Sequence, residues 1–260
     1  MEEILIWFMV CTVSFSAALL TFFSGFGLGT LLLPVFSLIM PIQLAVLSTA
    51  LVHISNNAIK FVLIRHFIDK RVLLSFGITA VFGALIGASF QKLMGEEMVI
   101  YNTCIFLGAK PVTLLAFIVG LLMILFAILD FLPLLKKISF GKVHFPVGGF
   151  LSGFFGGLSG HQGALRAAFL SKSGLKAEVF IATSVCMSLL IDVVRIPIYL
   201  SAETNSIIDN KLNIILACFF AFIGSYLGKR IFVKRKVKNI RWVVAFFLFT
   251  IGIGMLTGLV

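Results

Sequence analysis

The sequence predicts an all-α, polytopic integral membrane protein built from two inverted repeats, each a broken helix with a half-helix hairpin plus three membrane helices. Three observations predict this. Of the 260 residues, 60% are hydrophobic and only 12% are charged, with a mean hydropathy of +1.16; a soluble domain of this length needs far more polar surface. The apolar runs are long and continuous rather than alternating, and lipid leaves backbone groups unsatisfied outside helices and closed barrels. Finally, two short apolar segments follow glycine-rich breaks at corresponding places in the two halves.

Taken in order, Ile4 to Phe23 makes the first helix, since its apolar run is too long for a signal peptide and has no basic leader. The break SGFGLG leads into a half-helix from Thr30 to Met40. Membrane helices follow from Gln43 to Ile64, Val72 to Met94 and Val112 to Leu135, closing a first repeat over residues 1–135. The second repeat, 136–260, runs Phe145 to Leu158, the break GGLSGHQG, a half-helix from Ala164 to Ser171, then Ala177 to Leu200, Leu212 to Gly228 and Trp242 to Leu259. Roughly ten helical residues cover about 15 Å, half of a ~30 Å hydrocarbon core.

Charge sets the orientation. A net charge of +11 suits nucleic acid in a soluble protein, but here the basic residues cluster between apolar runs, the pattern that orients membrane proteins. RHFIDKR from Arg65, KKISFGK from Lys136 and KRIFVKRKVKNIR from Lys229 are expected on the cytoplasmic side of an inner membrane. The Glu2-Glu3 start and the connections with Glu96, Glu97, Glu203 and Asp209 fit the outside, as do both termini. The helix from Gln43 then runs inward and the helix from Ala177 runs outward, so the halves are upside down relative to each other. Phe23-Ser24-Gly25-Phe26 matches Leu151-Ser152-Gly153-Phe154, and Leu47 to Ala50 matches Ile181 to Ser184. Gly83 with Gly87, and Gly224 with Gly228, give matching helices the spacing of close packing. Inverted repeats with broken helices are the mark of secondary transporters, whose substrate lies where the breaks meet; the same arrangement also builds channels.

A broken helix exposes N–H groups and a partial positive charge at the start of its second piece, which is a ready anion site. Thr30 opens one such piece, and Gln162 or Gly163 the other. Gly25, Gly27, Gly29, Gly156, Gly157, Gly160 and Gly163 let the backbone turn and a ligand come close, although glycines also permit tight helix packing. Arg166, about one turn into the second half-helix, offers a fork of donors suited to oxyanions; the competing account is a structural pair with Asp192 or Asp130. His161 and Gln162 add donors at the break, and a histidine there can carry a coupling proton. Thr49, His53, Asn56, Asn57 and Lys60 share one helix face, and Ser184, Ser188, Asp192 and Arg195 share another. For Lys60 and Arg195 the alternative is snorkelling to the interface; Asp192 and Arg195 can also neutralise each other.

Enzyme chemistry is not expected. Cys11, Cys104, Cys186 and Cys218 are dispersed small apolar side chains rather than ligands, and the sequence shows no HExxH, no P-loop and no paired carboxylates at one site. Neither a catalytic residue, a metal nor a cofactor is assigned. The expected partners are a small anion, the lipid bilayer and a coupling H+ or Na+, with no nucleic acid.

With these residues in view, the chain resembles the sulfite exporter TauE/SafE family of membrane permeases. The resemblance spans nearly the whole length and is carried by FSGFGLGTLLLPVFSLIMP and AVLSTALVHISNNAIKF in the first half, and by GGFLSGFFGGLSGHQGALRAAFLSKSGL and FIATS in the second. Many members carry a glycine run where this chain has Ser159 to Gly163. The resemblance implies inner-membrane transport of sulfur-containing anions such as sulfite, sulfoacetate or thiosulfate. The residues by themselves imply a small anion moved by alternating access, with a channel or a membrane enzyme or assembly factor as the competing classes, and a cation transporter if Asp192 and Asp130 face the path unpaired.

Overall fold

A computed structural model describes residues 2–21, 27–95, 98–102, 111–131, 141–170, 173–231 and 240–259. In chain order the elements are α1 (Glu2–Thr21), α2 (Leu28–Ser37), α3 (Ile42–Ile64), α4 (Lys70–Leu93), β1 (Val99–Asn102), β2 (Pro111–Thr113), α5 (Leu114–Phe131), α6 (Phe145–Ser159), α7 (Gln162–Leu170), α8 (Ala177–Asp209), α9 (Lys211–Ile231) and α10 (Ile240–Thr257). The protein is an all-α, multi-pass membrane protein. Ile42–Phe67, Lys70–Leu93, Ala177–Glu203 and Lys211–Gly228 are each long and apolar enough to cross a membrane, and shorter apolar helices accompany them.

Local chemistry sets the helix ends. Asp69 caps α4 by accepting from the N–H groups of Arg71 and Val72 at 2.9 and 3.0 Å, and its own N–H donates to Thr183 Oγ1 at 3.0 Å, tying that turn to α8. Gly160 closes α6 in the left-handed conformation (φ 82°). Gly27 opens α2 at φ 111°. Both are conformations that glycine adopts without strain.

Helix pairing follows a repeating plan. α4 packs on α6 and α1 on α9; α5 packs on α10 and α3 on α8; α4 also touches α8, and α3 touches α9. Exchanging α1 with α6, α3 with α8, α4 with α9 and α5 with α10 returns the same pairings. Glycine makes the contacts close. A methyl group added at Gly153 would run into the Ala80 carbonyl, and one at Gly149 or Gly157 into the carbonyls of Phe76 or Ala84. From the other side, Gly83 and Gly87 face the backbone of Phe150 and Phe154. Gly224 of α9 meets the Phe15 carbonyl of α1, and a methyl on Gly120 would lie 2.9 Å from the Gly252 carbonyl. Gly83, Gly87 and Gly224 therefore allow the close approach their spacing predicts, and Gly228 is also buried.

Four details differ from expectation. An antiparallel hairpin, β1 with β2, precedes α5; it pairs Val99 with Thr113 and Tyr101 with Val112, and the β-branched and aromatic side chains there favour strand. The half-helix α2 starts at Leu28, two residues before Thr30, because Gly27 turns the chain earlier. α8 runs on to Asp209 beyond a non-helical residue, Glu203 (φ −118°, ψ 25°). Cys11, Cys186 and Cys218 are free and half-buried rather than core residues. Gly25, Glu96, Glu97, Cys104, most of the basic cluster from Lys136 and residues 232–239 of the last cluster lie outside the described residues.

Candidate functional site

The two breaks adjoin. The N–H groups of Leu28, Gly29 and Thr30 precede the first intrahelical bond of α2, from Leu31 N to Gly27 O at 3.1 Å, and Gly27 supplies no side-chain cap. Thr30 Oγ1 donates to Gly27 O at 2.8 Å. A methyl group built on Gly29 would sit 3.6 Å from Thr49 Cγ2, 3.7 Å from Gly160 O and 3.8 Å from His53 Cδ2. The tip of α2 thus rests against the α6–α7 break and the polar face of α3.

A buried polar cluster connects that point to α8. The Asp192 carboxylate, with no exposure to solvent, accepts from His53 Nδ1 at 2.6 Å, from Arg195 Nε at 2.9 Å and from Gln162 Nε2 at 3.3 Å. Arg195 Nη2 lies 2.8 Å from the same carboxylate. Arg166 Nη1 donates to Gln162 Oε1 at 3.5 Å, and Ser152 Oγ donates to the Gln162 carbonyl at 2.8 Å, tying the first residue of α7 to α6. On α3, Asn57 Nδ2 lies 3.1 Å from His53 Nε2.

The break is braced from α8. The last carbonyls of a helix have no partner within it. Arg195 Nη1 donates to Gly156 O at 2.7 Å, and the Tyr199 hydroxyl donates to Gly157 O. A cation and a donor thus meet the negative end of the α6 dipole, leaving the positive end of α7 beside Asp192, Gln162 and Arg166.

Several buried donors and acceptors along the break, α3 and α8 lack partners among the described residues. His161 Nε2, Asn56 Nδ2, Thr49 Oγ1 and Ser184 Oγ are buried and make no hydrogen bond within the described residues. The His161 ring stacks on Phe126 with centroids 5.4 Å apart and planes 9° apart, and its Nδ1 is 3.1 Å from Ser159 Oγ. Asn56 turns the other end of its amide to α9, where Ser225 Oγ donates to Oδ1 at 2.6 Å. Desolvated polar atoms of this kind cost about 1–3 kcal/mol each when unmatched; Thr49 stands beside the α2 tip and His161 at the α6–α7 break.

Of the residues singled out from the sequence, His53, Asn57, Gly160, Gln162, Arg166 and Asp192 are joined by the contacts above, with Gly27, Gly29, Thr30 and His161 at the two tips. Gly163 and Ser188 are buried on α7 and α8. The structure bears on two alternatives. Lys60 and Arg195 do not snorkel: they are 4% and 1% exposed, since both lie on the inward faces of α3 and α8. The carboxylate of Asp192 bonds directly to Arg195 rather than to Arg166, because Arg195 follows it by three residues on the same face; Arg166 reaches it through Gln162. The Asp130 side chain lies outside the described residues. Tyr199, Ser152 and Ser225 were not anticipated. Tyr199 continues the Asp192–Arg195 face by one turn, which is the signal that marks it.

Charge completes the description. Among the described residues, Lys60, Arg166 and Arg195 are buried cations and Asp192 is the buried carboxylate. The interior is biased toward positive charge, and the two helix N-termini add to it.

A family model described as Sulfite exporter TauE/SafE matches residues 10–255. No curated protein and no solved structure matches the chain.

Proposed function

The chain belongs to the sulfite exporter TauE/SafE family of membrane transporters, and on that premise we propose that it is a secondary transporter moving a small sulfur-containing oxyanion or organosulfonate across the inner membrane by alternating access. The observation that carries this reading is the meeting of the α2 tip with the α6–α7 break, Gly29 beside Gly160, inside a cation-rich interior. A helix N-terminus attracts anions through its free N–H groups and dipole.

The anion lies between the tips, with the Arg166 fork completing its oxygen contacts. Selection against cations follows from charge, since a cation would face Arg166, Arg195 and two positive helix ends. The pairing plan that survives exchange of α1–α5 with α6–α10 supports two structural copies, 1–135 and 136–260. Five elements per copy, including a half-helix hairpin that returns to its own side, support inversion of the second. Rocking one copy against the other then exposes the junction to each side in turn. With a negative interior, the membrane potential drives an anion outward by about 2.3 kcal/mol per charge per 100 mV.

The test is uptake of labelled sulfite, sulfoacetate and thiosulfate into proteoliposomes. Saturable uptake with counterflow is expected for wild type, and Arg166→Ala is expected to lower apparent affinity by tenfold or more, the ~1.4 kcal/mol or greater of one charge-assisted contact. Equal saturable uptake by both proteins removes Arg166 from the site. Unsaturating current without counterflow makes the protein a channel.

A further inference from the structure

The contact between His53 and Asp192 crosses the molecule. It joins α3 to α8 over 139 residues of sequence, at the point where the α2 tip touches the break: His53 Cδ2 is 3.8 Å from the methyl position on Gly29. A carboxylate here is a problem for the function proposed above, because Asp192 repels the anion the tips attract. Arg195 offsets that charge, yet both its Nε and its Nη2 are held on Asp192 while Nη1 holds Gly156 O. Arg195 is therefore committed to bracing the break.

Resting on the anion-transport reading, we propose that His53 and Asp192 form a proton-binding pair that carries one proton with each anion. In the empty site His53 Nδ1–H donates to Asp192 Oδ2, and the Asn57 amide nitrogen lies 3.1 Å from Nε2 and 3.2 Å from Nδ1. The incoming proton binds Nε2. Asn57 then turns its amide so that its oxygen accepts from the new N–H. The His53–Asp192 pair passes from net −1 to neutral, and repulsion of the anion falls. By linkage, the anion strengthens proton binding by the same factor.

The surroundings favour joint binding over binding of the proton alone. Arg195 and Tyr199 on α8 face Asp192 and the break. Arg166 on α7 lies within electrostatic reach of Asp192, His161 stands at the break, and Lys60 is on the His53 face of α3. From α9, Cys218 points at Ser55 rather than at His53, and α2 carries no ionisable residue. A proton added alone enters a region already rich in cations. Added with an anion it does not. His161, the other histidine at the junction, stacks on Phe126 and bonds Ser159, so it lacks the carboxylate partner that His53 has.

Coupling is measured in proteoliposomes clamped at zero potential, using thiosulfate and sulfoacetate, whose charge is constant between about pH 6 and 8. An imposed gradient, acid outside, is expected to drive accumulation of about tenfold per pH unit for one proton per anion. His53→Gln leaves Asp192 charged; it is expected to elute as a folded carrier in detergent, to show a raised apparent KM for anion counterflow, and to lose the response to the gradient. Asp192→Asn, made in parallel, is expected to lose it as well. Saturable wild-type uptake that ignores the gradient overturns the proposal while leaving anion transport intact, and so does a full gradient response in His53→Gln. If neither probe shows saturable uptake or counterflow in wild type, both this proposal and the anion reading fall.

Discussion

Arg195→Met is the most informative single change to stability. The methionine fills part of the same space but removes Nε and Nη2 from Asp192 and Nη1 from the Gly156 carbonyl. Among the described residues, Asp192 is then a fully buried carboxylate hydrogen-bonded by His53 and Gln162 alone, and breaking one side of such a pair costs about 3–5 kcal/mol. The orphaned Gly156 carbonyl adds about 1–3 kcal/mol, and because the two losses share one side chain, about 4–6 kcal/mol is expected in all. The double change Arg195→Met with Asp192→Leu removes the stranded charge. What then remains is chiefly the Gly156 carbonyl and the partners lost by His53 and Gln162, so the double variant is expected to be more stable than the single one by about 2 kcal/mol. Unfolding in mixed detergent micelles, followed by intrinsic fluorescence against increasing denaturing detergent, gives both values. A single variant within about 1 kcal/mol of wild type, or a double variant less stable than the single, would refute the account of Arg195 as both ion pair and helix brace.

Two further outcomes follow from the glycine contacts. Gly153→Ala forces a methyl into the Ala80 carbonyl, so α4 and α6 must separate; a loss of about 1–3 kcal/mol is expected in the same unfolding assay, against about 0.5 kcal/mol or less for Gly141→Ala, where nothing lies within 4 Å. Gly29→Ala meets only ordinary contacts of 3.6 to 3.8 Å and should unfold like wild type, yet its methyl stands at the α2 tip, the proposed anion site. A rise in the apparent KM for uptake without a shift in unfolding is expected; an unchanged KM would place the anion elsewhere.

Much of the fold is legible in the residues. The half-helices were visible because Gly27 and Gly160 mark breaks in otherwise apolar runs, and backbone breaks are local events. The polar faces of α3 and α8 were visible because helical spacing puts His53, Asn56 and Asn57, or Ser188 and Asp192, on one side. The hairpin before α5 was harder to see, since a four-residue and a three-residue strand carry too little periodicity to stand out beside apolar helices.

The candidate site was only half legible. Arg166 drew attention as an intramembrane cation, but Arg195, equally buried, could be read from spacing as a snorkelling side chain. Which of the two Asp192 holds depends on where the faces of α7 and α8 come to rest, and no local pattern encodes that. Tyr199 was passed over because a tyrosine one turn from an arginine is unremarkable until the carbonyl it reaches, Gly157 O, is known to be the loose end of a helix.

Composition and periodicity alone determined that this chain crosses a membrane, that two of its helices are short and follow glycine breaks, and that polar residues line inward faces, because burial in lipid constrains every segment by itself. Tertiary structure decided that the α2 tip meets the α6–α7 break and that His53 bonds Asp192 across 139 residues. It also decided that Arg195 braces a broken helix. Those outcomes rest on packing between distant segments, where close glycine contacts set the separations, and such distances exist only once the helices are assembled.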